Sequence, residues 1–126
     1  MSFIQSVLDG ETAETTGQGP VLIYPCRRSR VKTPFLRVPE GPIFYLLAIL
    51  RNTIPPTDPQ TQLDRNRAIY DHLVSLGGVR YPVSSVPFSP ADWREHFGGH
   101  FQRFAHNKET FDPDNILTPG QGIFPI

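Results

Sequence analysis

An excess of charge of either sign is missing from this sequence: 12 basic and 12 acidic residues cancel to a formal net charge of zero. No global field points to nucleic acid or an anionic membrane, so any partner must be recognised locally. Cysteine is almost absent. Cys26 stands alone, which excludes an internal disulfide and makes a reducing, cytoplasmic compartment the default expectation. Residues 1–10 lack the basic segment and long apolar run of a secretory leader. The longest apolar candidate, residues 43–50, is far shorter than the roughly 18 residues a membrane helix needs. There is no glycine-rich dinucleotide fingerprint after a strand and no phosphate loop. The aromatics fall at helical core spacing rather than in a basic groove, which argues against nucleic-acid binding.

What is present in quantity is proline and glycine, 14 and 10 residues, which favours short elements joined by fixed turns. Nine Phe, four Tyr and one Trp supply core material, so the chain is not read as disordered. "GETAETTGQG" (10–19) is small and polar and reads as a mobile loop or linker. "PVLIYPCR" (20–27) predicts a strand buried on at least one face, and "GPIFYLLAILRN" (41–52) a central strand buried on both, the two pairing through a long loop. Asp58-Pro59 offers an N-cap and a first-turn proline to a helix that Gly77-Gly78 ends. "VRYPVSSV" (79–86) predicts a short strand, demoted to an edge by Pro82. Ser89-Pro90-Ala91-Asp92 opens a second helix with a capping-box pattern, and Trp93, Phe97, Phe101 and Phe104 share one of its faces as core residues. Gly98-Gly99 interrupts that helix. The order predicts an α+β fold, a small, largely antiparallel sheet with helices packed on one side.

Chemistry-bearing groups are sparse. His96 and His100 are four apart, a spacing that could put both imidazoles on one metal, but no third ligand accompanies them and packing histidines are the simpler reading. Ser84 and Ser85 have no nucleophile-elbow motif, and Cys26 inside a strand reads as an inert thiol. Arg27, Arg28, Arg30 and Lys32 form a basic loop, either a solvated turn or an anion site. The end is unusual: Ile116, Leu117, Ile123, Phe124 and Ile126 surround Thr118-Pro119-Gly120-Gln121, as in a tail docked onto something.

Four stretches together, "GPVLIYP" (19–25), "DRNRAIYDHLVSLGGVRY" (64–81), "DWREHFG" (92–98) and "FDPDNILTPGQGIF" (111–124), resemble the C-terminal portion of cytokinin dehydrogenases and their bacterial FAD-linked oxidase relatives. The resemblance implies a two-domain flavoprotein of the vanillyl-alcohol-oxidase type. In it the tail returns from a substrate cap to close the flavin site. Residues 1–86 would then be a partial cap, and residues 87–126 the helix and returning tail. Thr118 and Gln121 match the hydroxyl and amide that face the flavin, and an amide can both donate to and accept from the isoalloxazine edge. Tyr81 matches a family tyrosine, while "PVSSV" replaces the aromatic and aliphatic groups that follow it, leaving Ser84 as the nearest occupant. The family's flavin-linking Gly-His-Ser motif and catalytic aspartate are not in this sequence, so one copy of the chain is expected to need a flavin-domain segment as partner. The alternatives are a stand-alone, self-associating binding module and an anion-binding domain built on the basic loop.

Overall fold

The computed structural model describes residues 2–55, 58–117 and 119–124. They form two compact units, Met1–Lys32 with Val38–Val86, and Thr33–Arg37 with Pro87–Ile126. The fold is α+β, as expected.

The first unit opens on helix α1, Phe3–Asp9, capped by Ser2, whose hydroxyl accepts from the Gln5 amide at 3.2 Å. The segment expected to be a mobile loop is ordered instead. It holds a one-turn helix, α2 (Ala13–Thr16), in which Thr12 and Thr15 cap each other reciprocally at 2.8 and 3.2 Å. Gly17 closes the turn at φ 57°, and a β-carbon there would lie 1.8 Å from the Asn52 carbonyl oxygen. Small residues are used here for close approach as well as for freedom. The Asn52 amide donates to the Thr16 carbonyl at 2.9 Å, stitching α2 to the chain leaving the second strand.

Strands β1 (Val21–Arg27) and β2 (Ile43–Ile49) pair antiparallel, in a register running from Val21 opposite Ile49 to Arg27 opposite Ile43. β2 is not the doubly buried central strand its continuous apolar run predicted. Among the described residues the sheet has two strands, and Ile43 and Tyr45 are 54% and 57% exposed. Each strand therefore keeps one unpaired edge, and Ile23, Ile43 and Tyr45, which alternate onto one face, lie open. Helix α3, Pro59–Ser75, begins where read, with Asp58 accepting from the Gln60 amide at 3.2 Å, and ends before Gly77 at φ 80°.

Residues 79–86 are not a strand. Buried Arg80 folds back along its own segment, donating from Nε to Ser84 Oγ at 2.9 Å and from Nη2 to the Ser84 carbonyl at 3.0 Å. The Ser85 carbonyl accepts from Asn66 of α3 at 3.4 Å. Side chains satisfy carbonyls that a ladder would have used, and Pro82 has no N–H to give one.

One ion pair gathers these pieces. Arg51, just past β2, grips Glu11 with both terminal nitrogens at 2.6 and 2.7 Å, and both side chains are only 5% exposed. Arg51 also donates to the Thr15 carbonyl at 2.7 Å and to Asn66 Oδ1 at 2.9 Å. Arg65 of α3 adds a contact to Glu11 at 3.3 Å and donates to the Gly10 carbonyl. Burial works to raise the Glu11 pKa, but hydrogen bonds from Arg51 and Thr15 and the charges of Arg51 and Arg65 outweigh it, holding the carboxyl below its ordinary 4.5.

The second unit is organised by helix α4, Pro90–Phe97, with the expected capping box: Ser89 accepts from the Asp92 amide at 3.2 Å while Asp92 accepts from the Ser89 amide at 2.7 Å. Trp93 and Phe97 are buried as read. Phe88 meets Trp93 edge-on at 4.9 Å, and Phe104 meets both Phe97, at 4.8 Å, and Phe35, at 5.1 Å. Arg37 donates to the Glu95 carbonyl at 3.2 Å and to that of His96, satisfying the end of α4. The glycine break is a single 3-10 turn, Gly98–His100, followed by α5, Phe101–Phe111.

Glu11→Ala leaves the buried Arg51 charge uncompensated and is expected to destabilise the chain by about 3 kcal/mol, read as a lower urea midpoint. Because the folded-state pKa of Glu11 lies below 4.5, its stabilisation is fully present above that pH and is lost as pH falls through the lower folded value. The urea midpoint of the unsubstituted chain should drop in that acid window, and Glu11→Gln should flatten that part of the pH profile.

Candidate functional site

The tail carries the motif FDPDNILTPGQGIF, and its first half is built around Asp112. This buried carboxylate, at the end of α5, accepts from the Ile116 and Leu117 amides, each at 2.9 Å, and pairs with Lys108 one helical turn earlier. Lys108 also donates to the Leu117 carbonyl at 2.7 Å. Asn115 takes the left-handed conformation, φ 50°, that the reversal requires. The Lys108 hydrogen bond, opposed by burial and helped by the two backbone amides, holds the Asp112 pKa below its ordinary 3.8.

The second half of the motif, residues 119–124, turns once as a 3-10 element, Pro119–Gln121, and is fastened at two points within the second unit. Trp93 donates its indole N–H to the Gln121 carbonyl at 3.0 Å. Phe124 then sits against Phe104 at 5.0 Å and Phe101 at 6.1 Å, with the Lys108 ammonium 5.9 Å above its ring. The tail is docked at Ile123 and Phe124, which are half-buried, whereas Ile116 and Leu117 remain 73% and 62% exposed. Ile126 lies outside the described residues.

Of the residues read as flavin-facing, Gln121 is exposed, its carbonyl tied to Trp93. Thr118 lies outside the described residues. Ser84 belongs to the first unit, half-buried, with its hydroxyl oxygen accepting from Arg80 and its own hydrogen left to donate. Tyr81 is 49% exposed. A β-carbon added at Gly120 or Gly122 would meet no atom within 4 Å, so the backbone of this turn is open to close approach from outside. An exposed amide on an open, braced turn fits one hydrogen-bonding edge of a flavin.

The other candidates resolve into structural roles. His96 is buried among Phe88, Trp93 and Phe97 while His100 is exposed, and among the described residues no group of three metal-ligating side chains occurs. The 3-10 turn at Gly98–His100 breaks the helical register that their spacing assumed. Cys26 is half-buried in β1, its thiol 3.7 Å from the Tyr24 carbonyl. In the basic loop, Arg28 pairs with Glu40 at 2.9 Å and donates to the Pro39 carbonyl. Asn66 serves the Arg51 network and Arg67 pairs with Asp71 along α3. The reading from sequence overlooked Asp112 and Lys108, although their spacing of four and the Asp-Pro-Asp-Asn turn residues carried the signal.

Fold and tail together define a small α+β module that ends on a braced turn presenting an amide. The chain belongs to the family described as cytokinin dehydrogenase 1, FAD and cytokinin binding, whose family model matches residues 1–124. It is 37% identical to cytokinin dehydrogenase 5 of Oryza sativa subsp. japonica over 97% of this chain and 24% of that protein. It is 36% identical to an uncharacterized oxidoreductase, ORF5 of the fasciation locus of Rhodococcoides fascians, over 94% of this chain and 27% of that protein. The chain thus spans about a quarter of the length of the relatives it matches.

Asp112→Asn, which weakens the Lys108 pair, is expected to loosen the 112–117 turn while α4 stays folded. Amide exchange at Ile116 and Leu117 should quicken at least roughly tenfold, with little change at Trp93. In the unsubstituted chain the same loosening should appear as pH falls below 3.8, since the depressed Asp112 pKa places its contribution above that value.

Proposed function

We propose that this chain serves as the C-terminal portion or a separate subunit of an FAD-dependent oxidoreductase of the cytokinin dehydrogenase kind, one that oxidises an amine by hydride transfer to flavin. The observation carrying this reading is the braced Pro119–Gln121 turn, with its exposed amide, at the end of a chain that matches the family over residues 1–124. Residues 1–86 are the cap-like part, and residues 87–126 the helix and returning tail. FAD, when bound, supplies the hydride acceptor. Thr118, Gln121 and Ser84 are the residues read as offering it hydrogen bonds. The groups acting directly on the substrate belong to a flavin-domain partner.

Exposed apolar side chains support the need for such a partner. Ile23, Ile43 and Tyr45 on the sheet, and Phe111, Ile116 and Leu117 near the tail, are from 40% to 80% exposed. The same surfaces support a second reading, a self-associating binding module without a redox role.

The test is a visible absorbance spectrum of the purified chain after FAD is added and the excess removed. FAD is expected to be held firmly only with a flavin-domain segment present; a flavin band retained by the chain alone, and diminished by Gln121→Ala and Thr118→Ala, would show that the tail itself contacts the cofactor. A folded, colourless chain that ignores FAD, together with a dimer or larger species in sedimentation, would move the binding module to first place.

A further inference from the structure

Trp93 stands apart from the other aromatic residues of its helix because it has a polar task. It is 1% exposed, stacked on Phe97 at 5.9 Å and met edge-on by Phe88, on a helix whose start is locked by the Ser89–Asp92 box. The indole ring is therefore held by its surroundings, and its N–H is directed at the Gln121 carbonyl, 28 residues away in sequence. The Asp112–Lys108 clamp stops at Leu117, and Phe124 docks beyond the turn. Of the contacts described for the tail, the indole bond is the one made at Gln121 itself. A peptide whose carbonyl is tied to a rigid donor has restricted rotation, and the side chain on that residue is restricted with it.

We propose that Trp93 is the positioning residue of the tail turn, setting through its indole N–H the orientation in which Gln121 presents its amide to the flavin. The inference rests on the proposed flavin-facing role of Gln121. The two roles separate cleanly, because the indole bonds to the backbone of residue 121. Gln121→Ala removes the amide and keeps the tie, whereas Trp93→Phe removes the tie and keeps the amide.

The test follows the full 15N-labelled chain by NMR, with FAD as the probe. In Trp93→Phe, the Gly120 and Gly122 amides should move towards random-coil shifts while α5 resonances stay in place, and FAD affinity should fall roughly five- to tenfold. In the unsubstituted chain the indole N–H should be protected from exchange and should shift in step with Gly122 as FAD is added, a readout that does not depend on the variant folding. Unchanged Gly120 and Gly122 shifts in Trp93→Phe, or an indole signal that stays still while those glycines respond to FAD, would overturn the positioning role. Loosening of the turn in Trp93→Phe, with no response to FAD in the unsubstituted chain even when a flavin-domain segment is added, would uphold the coupling and sink the flavin role of Gln121 instead.

Discussion

The first unit depends on the pairing of Glu11 with Arg51. Two charges removed from water are costly to bury and are tolerated only when each is satisfied. Here the carboxylate receives both arms of Arg51, the Thr15 hydroxyl and Arg65, while Arg51 reaches Asn66 and the Thr15 carbonyl as well. The segment between α1 and α2, the exit of β2 and the middle of α3 consequently share one electrostatic centre. A unit in which Val7 is the one buried apolar side chain among the described residues uses this network to specify how its elements meet.

The second unit solves its problem differently. Its centre is aromatic, a run of ring contacts in which Trp93 stacks on Phe97 and Phe104 touches Phe97, Phe35 and Phe124. Arg37 caps the end of α4, while Asp112 and Lys108 hold the backbone of Ile116 and Leu117 beyond α5 and turn the chain into the tail. The Trp93 indole N–H and the docked Phe124 ring tie this core to a turn on which Gln121 is exposed. Donors held in this way lose little freedom on binding a ligand.

Local signals in the sequence were readable where their physics is local. Asp58-Pro59 and Ser89-Pro90-Ala91-Asp92 announced helix starts because a cap is decided within four residues. The pairing of 20–27 with 41–52 was readable from two apolar runs, but the depth of the second strand was not, since burial depends on what lies against a face. Residues 79–86 had the composition of a strand, and the fold-back of Arg80 onto Ser84 removed it from the sheet. The helices at Phe3–Asp9 and Ala13–Thr16 escaped notice because short helices gain most of their stability from tertiary contacts.

For the candidate site, the motif at 111–124 and its family were evident from residue order alone, whereas the aromatic stripe read on one helix is divided between α4 and α5 by the Gly98–His100 turn. Sequence by itself determined the caps, the strand partners and the kinship, because each is written in neighbouring residues or in their order. The tertiary structure alone decided that Glu11 would meet Arg51, 40 residues on, and that Trp93 would hold the Gln121 carbonyl. Both contacts join residues far apart in the chain and require the donor and acceptor to fall within about 3 Å of each other, a coincidence that only the folded backbone brings about.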